Sequence, residues 1–157
     1  MRLLAFTAAV FALALPAASP GARGGAGDGQ LLIKHGDGFV ALRVKGAVIG
    51  HFASGVMDVN DPDPTDGDGC DVVGSDATRF VNDTKTRYMG KTIAFRCVGG
   101  LYVIRFMRVR DLSLAAVGHG TVIVSGAGGD DGTVSVDGSD PRSLPEFPTP
   151  YTFGING

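Results

Sequence analysis

Hydrophobic and polar side chains alternate along much of the chain after residue 30, and this period of two is typical of β-strands. The clearest run, 92–98, leads through a pair of glycines into a second alternating run, 101–109. Two glycines between strands favour a tight primed turn, so the sequence predicts a β-hairpin here. Its register puts one set of large side chains on a single face, namely Ile93, Phe95, Cys97, Tyr102, Ile104 and Phe106. The opposite face then carries both Arg96 and Arg105.

Two further hairpins are predicted from the same alternation. In one, the run 121–125 pairs with 133–137, so that valines from both strands share a face. In the other, the run 47–52 pairs with 55–59 across a short glycine-containing turn.

A strand at 40–44 and a short closing strand at 151–155 complete the predicted set. No amphipathic helical pattern of useful length occurs after residue 30. The 25 glycines and eight prolines agree with frequent turns. About eight or nine short strands in this arrangement are typical of a sandwich or a small barrel. The sequence therefore predicts an all-β, antiparallel β-sandwich, with a small β-barrel as the alternative.

The first residues have the layout of a secretory signal peptide, with Arg2 followed by an apolar run and then by proline and small residues. The apolar run, 3–15, is shorter than the roughly 20 residues that span a bilayer, which argues against a retained membrane anchor. We expect a signal peptide within 1–22 that is cleaved after Ala18 or Ala22, a Gly-rich linker at 23–30 and a single β domain at 31–157. The product is then secreted and has no membrane span.

Two cysteines, Cys70 and Cys97, lie in the part of the chain that is predicted to be exported. An even number of cysteines in an oxidising compartment favours one disulfide. The alternative is a pair of buried free thiols. A bridge of this span would stabilise the fold by about 3 kcal/mol, mainly by restricting the unfolded chain.

Charge is close to balanced over the whole chain but unevenly distributed along it. The formal net charge of -2 argues against nucleic acid as the main partner, because nucleic-acid-binding surfaces are clearly basic. The segment 79–110 nevertheless carries a large share of the basic residues. A basic face that includes Arg96 and Arg105 could hold an anionic polymer or an envelope component by charge complementarity. The alternative is that these side chains face water or pair with the acidic segment that precedes them.

That acidic segment, 58–71, alternates aspartates with turn-forming residues, as Ca²⁺-binding loops do. The candidate ligands are Asp61, Asp63, Asp66, Asp68 and Asp71. Their spacing misses the EF-hand register, because Gly67 falls one place late and no glutamate closes the loop. A solvated loop with Asp-Pro and Asp-Gly turns is the competing interpretation, and we expect no cofactor other than weakly bound Ca²⁺.

No catalytic motif is present in the sequence. It contains neither a G-x-S-x-G elbow nor a phosphate-binding loop. The three histidines, His35, His51 and His119, are far apart and have no metal-ligand spacing. An extracellular hydrolase or metal-dependent enzyme would therefore need a site assembled from Asp and His residues that are distant in sequence.

The second half of the chain resembles small secreted all-β proteins of unknown function from high-GC Gram-positive bacteria. The resemblance runs from Lys91 through the basic strands to the stretches Asp-Leu-Ser-Leu at 111–114, Gly-His-Gly-Thr-Val at 118–122 and Arg-Ser-Leu-Pro at 142–145. It implies a secreted β domain but no activity, and it assigns no functional residue. The sequence is best interpreted as a non-enzymatic, secreted binding or envelope-associated module.

Overall fold

The computed structural model describes residues 27–128 and 131–154. The described part is all-β, and its eight strands belong to one open antiparallel sheet. The strands are β1 (Gly29–Asn60), β2 (Gly69–Val73), β3 (Ala77–Asn82), β4 (Lys85–Val98), β5 (Leu101–Gly126), β6 (Thr133–Val136), β7 (Arg142–Ser143) and β8 (Thr149–Phe153). The predicted fold class is confirmed, and the sheet is not a closed barrel. The predicted signal peptide lies outside the described residues, and β1 begins at Gly29, inside the range predicted as linker.

Two very long strands, β1 and β5, organise the whole sheet. They pair with each other in two antiparallel registers, so that Val40 faces Phe106 along one edge and Val124 along the other. Because each strand bends repeatedly, the sheet folds over itself into two layers. The front layer contains 77–82, 85–91, 54–60, 101–110, 38–45, 119–126 and β8 in that spatial order. The back layer contains β7, β6, 29–33, 113–118, 46–52, 93–98 and β2.

The core lies between the two layers and receives side chains from both. Phe52 of the back layer packs edge-on against Phe106 of the front layer, with ring centroids 6.0 Å apart. Leu31, Ile104 and Val122 are also fully buried in this cluster. Residues that alternate with them point outward, which is why the alternation in the sequence locates the core correctly.

The strands change layer where the backbone has a positive φ. In β5, the non-glycine residues Arg108 and Asp111 both have φ of 52°. Each shifts the alternation by one residue, so Phe106, Val109 and Leu112 all face the core although they are three apart. These bulges bend β5 from the front layer into the back layer.

A pair of facing glycines marks another crossing, where Gly46 of β1 lies opposite Gly118 of β5. Both have positive φ, 146° and 131°. A Cβ atom on Gly46 would lie 2.1 Å from the carbonyl oxygen of Val117, so no side chain fits. The two long strands can cross closely only because both positions are glycine.

All three predicted hairpins are wrong, although the faces assigned to their strands are largely correct. The run 93–98 pairs with β1 and β2, not with 101–109. Likewise 121–124 pairs with β1 and β8, whereas β6 pairs with 31–34. The third predicted hairpin lies within the single continuous strand β1. In the first two cases the glycine connection joins strands of opposite layers, whose side chains meet across the core.

Candidate functional site

The outer surface of the front layer is rich in basic side chains. Directly paired residues on neighbouring strands project to the same side of a sheet. One such row crosses four strands as Arg79, Arg87, Asp58 and Arg105. Two neighbouring rows add Lys85, paired with Asn60, and Arg43, paired with Val103. We call the five cations Arg43, Arg79, Lys85, Arg87 and Arg105 the basic face.

Asp58 is a buried carboxylate at the centre of the basic face. The Arg87 guanidinium donates two hydrogen bonds to it, from Nε at 2.6 Å and from Nη2 at 2.8 Å. Lys85 Nζ lies 2.9 Å from the same carboxylate. These hydrogen bonds, that from Arg87 above all, hold the pKa of Asp58 below its usual range, although burial alone would raise it. Asp58 therefore stays ionised and fixes the positions of two cations.

Two cations of the row, Arg79 and Arg105, have no ion-pair partner among the described residues, and Arg105 is the one directly paired with Asp58. Its side chain is exposed and forms no ion pair with any carboxylate in the described ranges. It lines a cavity of about 140 Å³ together with Lys85, Asn60, Val103 and Asp58, whose carboxylate is already paired with Lys85 and Arg87. A guanidinium and an ammonium on the wall of one small cavity can bind a carboxylate, sulfate or phosphate group.

The prediction that Arg96 and Arg105 lie on the same face is wrong. Both side chains project away from the core, but Arg96 belongs to the back layer and Arg105 to the front layer. Arg96 is paired with Asp71 of β2 on one side and with Ile49 of β1 on the other. The error follows from the predicted hairpin, because strands that lie in opposite layers expose their outer residues on opposite surfaces.

The acidic segment divides into three parts in the structure. Asp58 belongs to β1, Asp71 belongs to β2, and the remaining aspartates lie in the loop between these strands. In that loop, Asp61 and Asp66 each accept a hydrogen bond from the backbone N–H two residues later, at 3.1 and 3.0 Å. These carboxylates therefore form Asx turns within the loop. Within the described residues, no three His, Cys, Asp or Glu side chains converge to hold a metal ion.

The predicted disulfide is confirmed between Cys70 and Cys97. The two residues are directly paired on β2 and β4. Cys97 is fully buried in the core, whereas Cys70 follows the acidic loop. The bridge thus attaches the end of that loop to the main body of the sheet.

One histidine lies beside carboxylates. His35 Nδ1 is 2.7 Å from Asp111 Oδ1, and the backbone N–H of Asp111 donates to Asp37 at 2.7 Å. The His35 side chain is 79% exposed, and Ser113 Oγ contacts the backbone N–H of His35, not its ring. His51 lies on the outer surface of the back layer, paired with Ala94. Among the described residues, His35 and Asp111 are the one His–Asp pair within hydrogen-bond distance, while His51 and Asp71 line a common pocket.

Sequence reasoning misses the role of Asp58. The many aspartates that follow it suggest a loop, but its immediate neighbours Met57 and Val59 are both buried strand residues. An aspartate between two core-facing positions of a strand must project to the outer surface, so its orientation is readable from the alternation. The identity of its cationic partners cannot be predicted from the sequence, because Lys85 and Arg87 lie 27 and 29 positions away along the chain.

The described residues include no helix with the length and hydropathy that a bilayer crossing requires. Comparison of the chain with protein-family models, with curated proteins and with solved structures finds no match.

Proposed function

We propose that this protein is a secreted, non-enzymatic β-sandwich module that binds an anionic polymer of the cell envelope through the basic face. The observation that carries the proposal is the arrangement of Arg105 beside Asp58. Lys85 and Arg87 are held by the buried carboxylate, whereas Arg105, which lines the same cavity as Lys85 and Asp58, has no ion-pair partner among the described residues. An incoming anion would complete this charge network.

The distribution of charge favours a polymer over a small anion. The basic face has five cations around a single carboxylate, while the whole chain has a net charge of -2. Neighbouring strands are about 4.8 Å apart, so the cations spread across five adjacent strand segments of the front layer. A polymer with repeated carboxylate, sulfate or phosphate groups can contact several of them at once, and a single small anion cannot.

Secretion is part of the proposal. It rests on the signal-peptide layout at 1–22 and on the Cys70–Cys97 disulfide, since such bonds persist in oxidising compartments. Expression of the full chain with detection in the culture medium tests this part. Retention of the protein inside the cell with its thiols reduced would contradict it.

Binding is tested with polygalacturonate as the polyanion and dextran as the neutral control. We expect affinity for polygalacturonate that falls with added salt, and no binding of dextran. Arg105→Gln and Arg43→Gln should each weaken binding roughly two- to fivefold, the usual effect of one exposed charge pair. Arg96→Gln is the matched control, because Arg96 is an exposed arginine on the opposite surface. Equal losses of polygalacturonate affinity in Arg96→Gln and Arg105→Gln, or no binding of polygalacturonate at low salt, would contradict the proposal.

An extracellular hydrolase or metal-dependent enzyme is the second candidate, and the His35–Asp111 pair is the observation in its favour. A carboxylate on Nδ1 orients an imidazole so that Nε2 can act as a base. Hydrolysis of p-nitrophenyl acetate by the purified protein, compared with His35→Gln, tests this candidate. Activity that depends on His35 would support the enzyme, and equal activity in both proteins would exclude a role for this pair in ester hydrolysis.

A further inference from the structure

A small aromatic cleft lies on the side of β4 opposite to the basic face. Along 85–88 the side chains alternate, so Lys85 and Arg87 project to the outer surface, whereas Thr86 and Tyr88 project to the other side. The cleft has a volume of about 180 Å³. Its wall includes Phe80, Tyr88, Tyr102, Asp61, Asp83 and Thr84. We call it the aromatic cleft.

Three aromatic side chains are among the ten that line the cleft. Phe80 lies on β3 and is 81% exposed, which is unusual for a phenylalanine and leaves one ring available at the mouth. Tyr88 is half-buried. Tyr102 is buried, and its hydroxyl donates to the carbonyl oxygens of Val98 at 2.9 Å and Gly69 at 3.2 Å. The faces of aromatic rings are electron-rich and attract cations.

The charge in and around the aromatic cleft is negative. Asp61 and Asp83 lie in its wall, and the wall contains no lysine or arginine from the described residues. Neither carboxylate forms an ion pair within the described parts of the chain. Burial raises the pKa of the Tyr102 hydroxyl, and the negative charges of Asp61, Asp68 and Asp66 raise it further. A cation entering the cleft would meet a favourable potential from several sides.

The chemistry of the wall favours an organic cation over an inorganic one. Ca²⁺ takes about six to eight oxygen ligands, and the described residues hold no cluster of metal-binding side chains. An alkylammonium group is weakly hydrated by comparison, and it is stabilised by ring faces together with carboxylates that remain in contact with water. The volume of about 180 Å³ suits a compact head group.

We propose that the aromatic cleft binds a quaternary ammonium group, held by the rings of Phe80 and Tyr88 and by the carboxylates of Asp61 and Asp83. This site is distinct from the basic face, since it selects ligands of the opposite charge and uses none of the same side chains. Two surfaces of opposite selectivity therefore lie on the two sides of β4.

The test is a titration of the full chain with choline, followed by NMR chemical shifts of the backbone amides. We expect saturable shifts that are centred on β3 and on the 85–88 segment of β4. Phe80→Ala and Asp83→Asn should each weaken choline binding roughly two- to fivefold. Both side chains are exposed, so the urea midpoints of these variants should match that of the original protein.

Matched controls separate the proposed site from general surface effects. Phe147 is also highly exposed, at 73%, but lies away from the cleft, and Asp140 is an exposed aspartate elsewhere. Phe147→Ala and Asp140→Asn should leave choline affinity unchanged, as should Arg105→Gln. The neutral isostere 3,3-dimethyl-1-butanol should bind at least several-fold more weakly than choline.

Three outcomes would overturn the proposal. The first is the absence of saturable shifts with choline, and the second is equal weakening in Phe80→Ala and Phe147→Ala. The third is displacement of choline by Ca²⁺ at matched ionic strength with an equal or lower midpoint, which would identify an inorganic cation site. Failure of polygalacturonate binding leaves this result unaffected, so the two proposals are tested separately.

Discussion

Phe95 and Phe106 lie on consecutive strands joined by two glycines, yet their rings meet across the core with centroids 5.2 Å apart. Phe52 contacts both rings. The connection at 99–100 therefore carries the chain from the back layer to the front layer, and the two strands face each other through their side chains. This three-ring cluster joins the layers at the centre of the core.

The core position of Phe95 is tested by truncation. Phe95→Ala should destabilise the protein by about 3–5 kcal/mol, because it removes a buried ring and leaves a cavity. Arg96→Ala, one residue later on the outer surface, should cost far less. Urea midpoints measured on both variants test this difference in stability, and equal midpoints would show that the face assignment is wrong.

Asp58 should make stability depend on pH. Its pKa is lowered in the folded protein, mainly by the hydrogen bond from Arg87. Its contribution is therefore fully present above the pKa of an unfolded aspartate, about 4, and is lost as the pH falls through the lower folded value. At pH 7, Asp58→Asn should cost about 1–3 kcal/mol, the usual effect of losing charge-assisted hydrogen bonds. In urea unfolding, this difference should shrink as the pH is lowered to about 2.

The control for this pH dependence is Asp140→Asn, at an exposed site with no ion pair to another described residue. Its stability relative to the original protein should change little between neutral and acid pH. If Asp58→Asn destabilised the protein as much at low pH as at neutral pH, the stabilisation could not be assigned to the ionised Asp58 carboxylate.

The disulfide should contribute about 3 kcal/mol to stability. Reductant should lower the urea midpoint of the original protein and leave that of a Cys70→Ala, Cys97→Ala double variant unchanged. Mass spectrometry after alkylation checks the bond directly. Two freely alkylated cysteines in protein isolated under oxidising conditions would be incompatible with this structure.

The facing glycines should not tolerate a side chain. Gly46→Ala combines a positive φ with a close approach to the Val117 carbonyl, so it should destabilise by about 2–5 kcal/mol. Gly138 also has a positive φ, but no atom of the described residues would lie within 4 Å of a Cβ added there. Gly138→Ala should therefore show only the conformational cost of about 1–2 kcal/mol. Similar urea midpoints for the two variants would mean that the strands are not in close contact at Gly46.

The acidic loop should bind Ca²⁺ no more tightly than about 1 mM, the weak end of extracellular Ca²⁺ modules. Its carboxylates accept hydrogen bonds from the loop itself, including Thr65 Oγ1 to Asp63 at 2.8 Å. They do not converge on a common point among the residues described. Calorimetric titration at physiological ionic strength checks this. A stoichiometric micromolar site that Asp66→Asn abolishes would be the contrary result.

The sequence is sufficient to predict which side chains are buried but not which strands are neighbours. Burial follows from alternation, which is a local property, and Val40, Leu42 and Val44 are all buried as predicted. Strand pairing depends on contacts between distant segments. A glycine pair such as 99–100 fits either a hairpin or a crossing between layers, because both need a sharp change of direction and give the same alternation.

The candidate site is predictable to a similar extent. The alternation identifies Arg105 as an outward-facing cation because it lies between Ile104 and Phe106. Its neighbours cannot be named from the sequence, since Asp58 and Ala41 reach it only through the two registers of β1 with β5. Because the sequence does not reveal strand pairing, it also predicts the wrong surface for Arg96.

The double pairing of β1 with β5 also determines when the fold can form during synthesis of the chain. β1 is made first, but most of its hydrogen-bonding partners belong to β5, and the last of these is Gly126. Before β5 emerges, β4 can pair with residues 48–60 of β1, but residues 29–45 have no partner strand, and such unpaired edges are a template for aggregation. Contacts between such distant segments also make folding slow. The interval between synthesis of β1 and completion of β5 is therefore the period in which the chain is most exposed to aggregation.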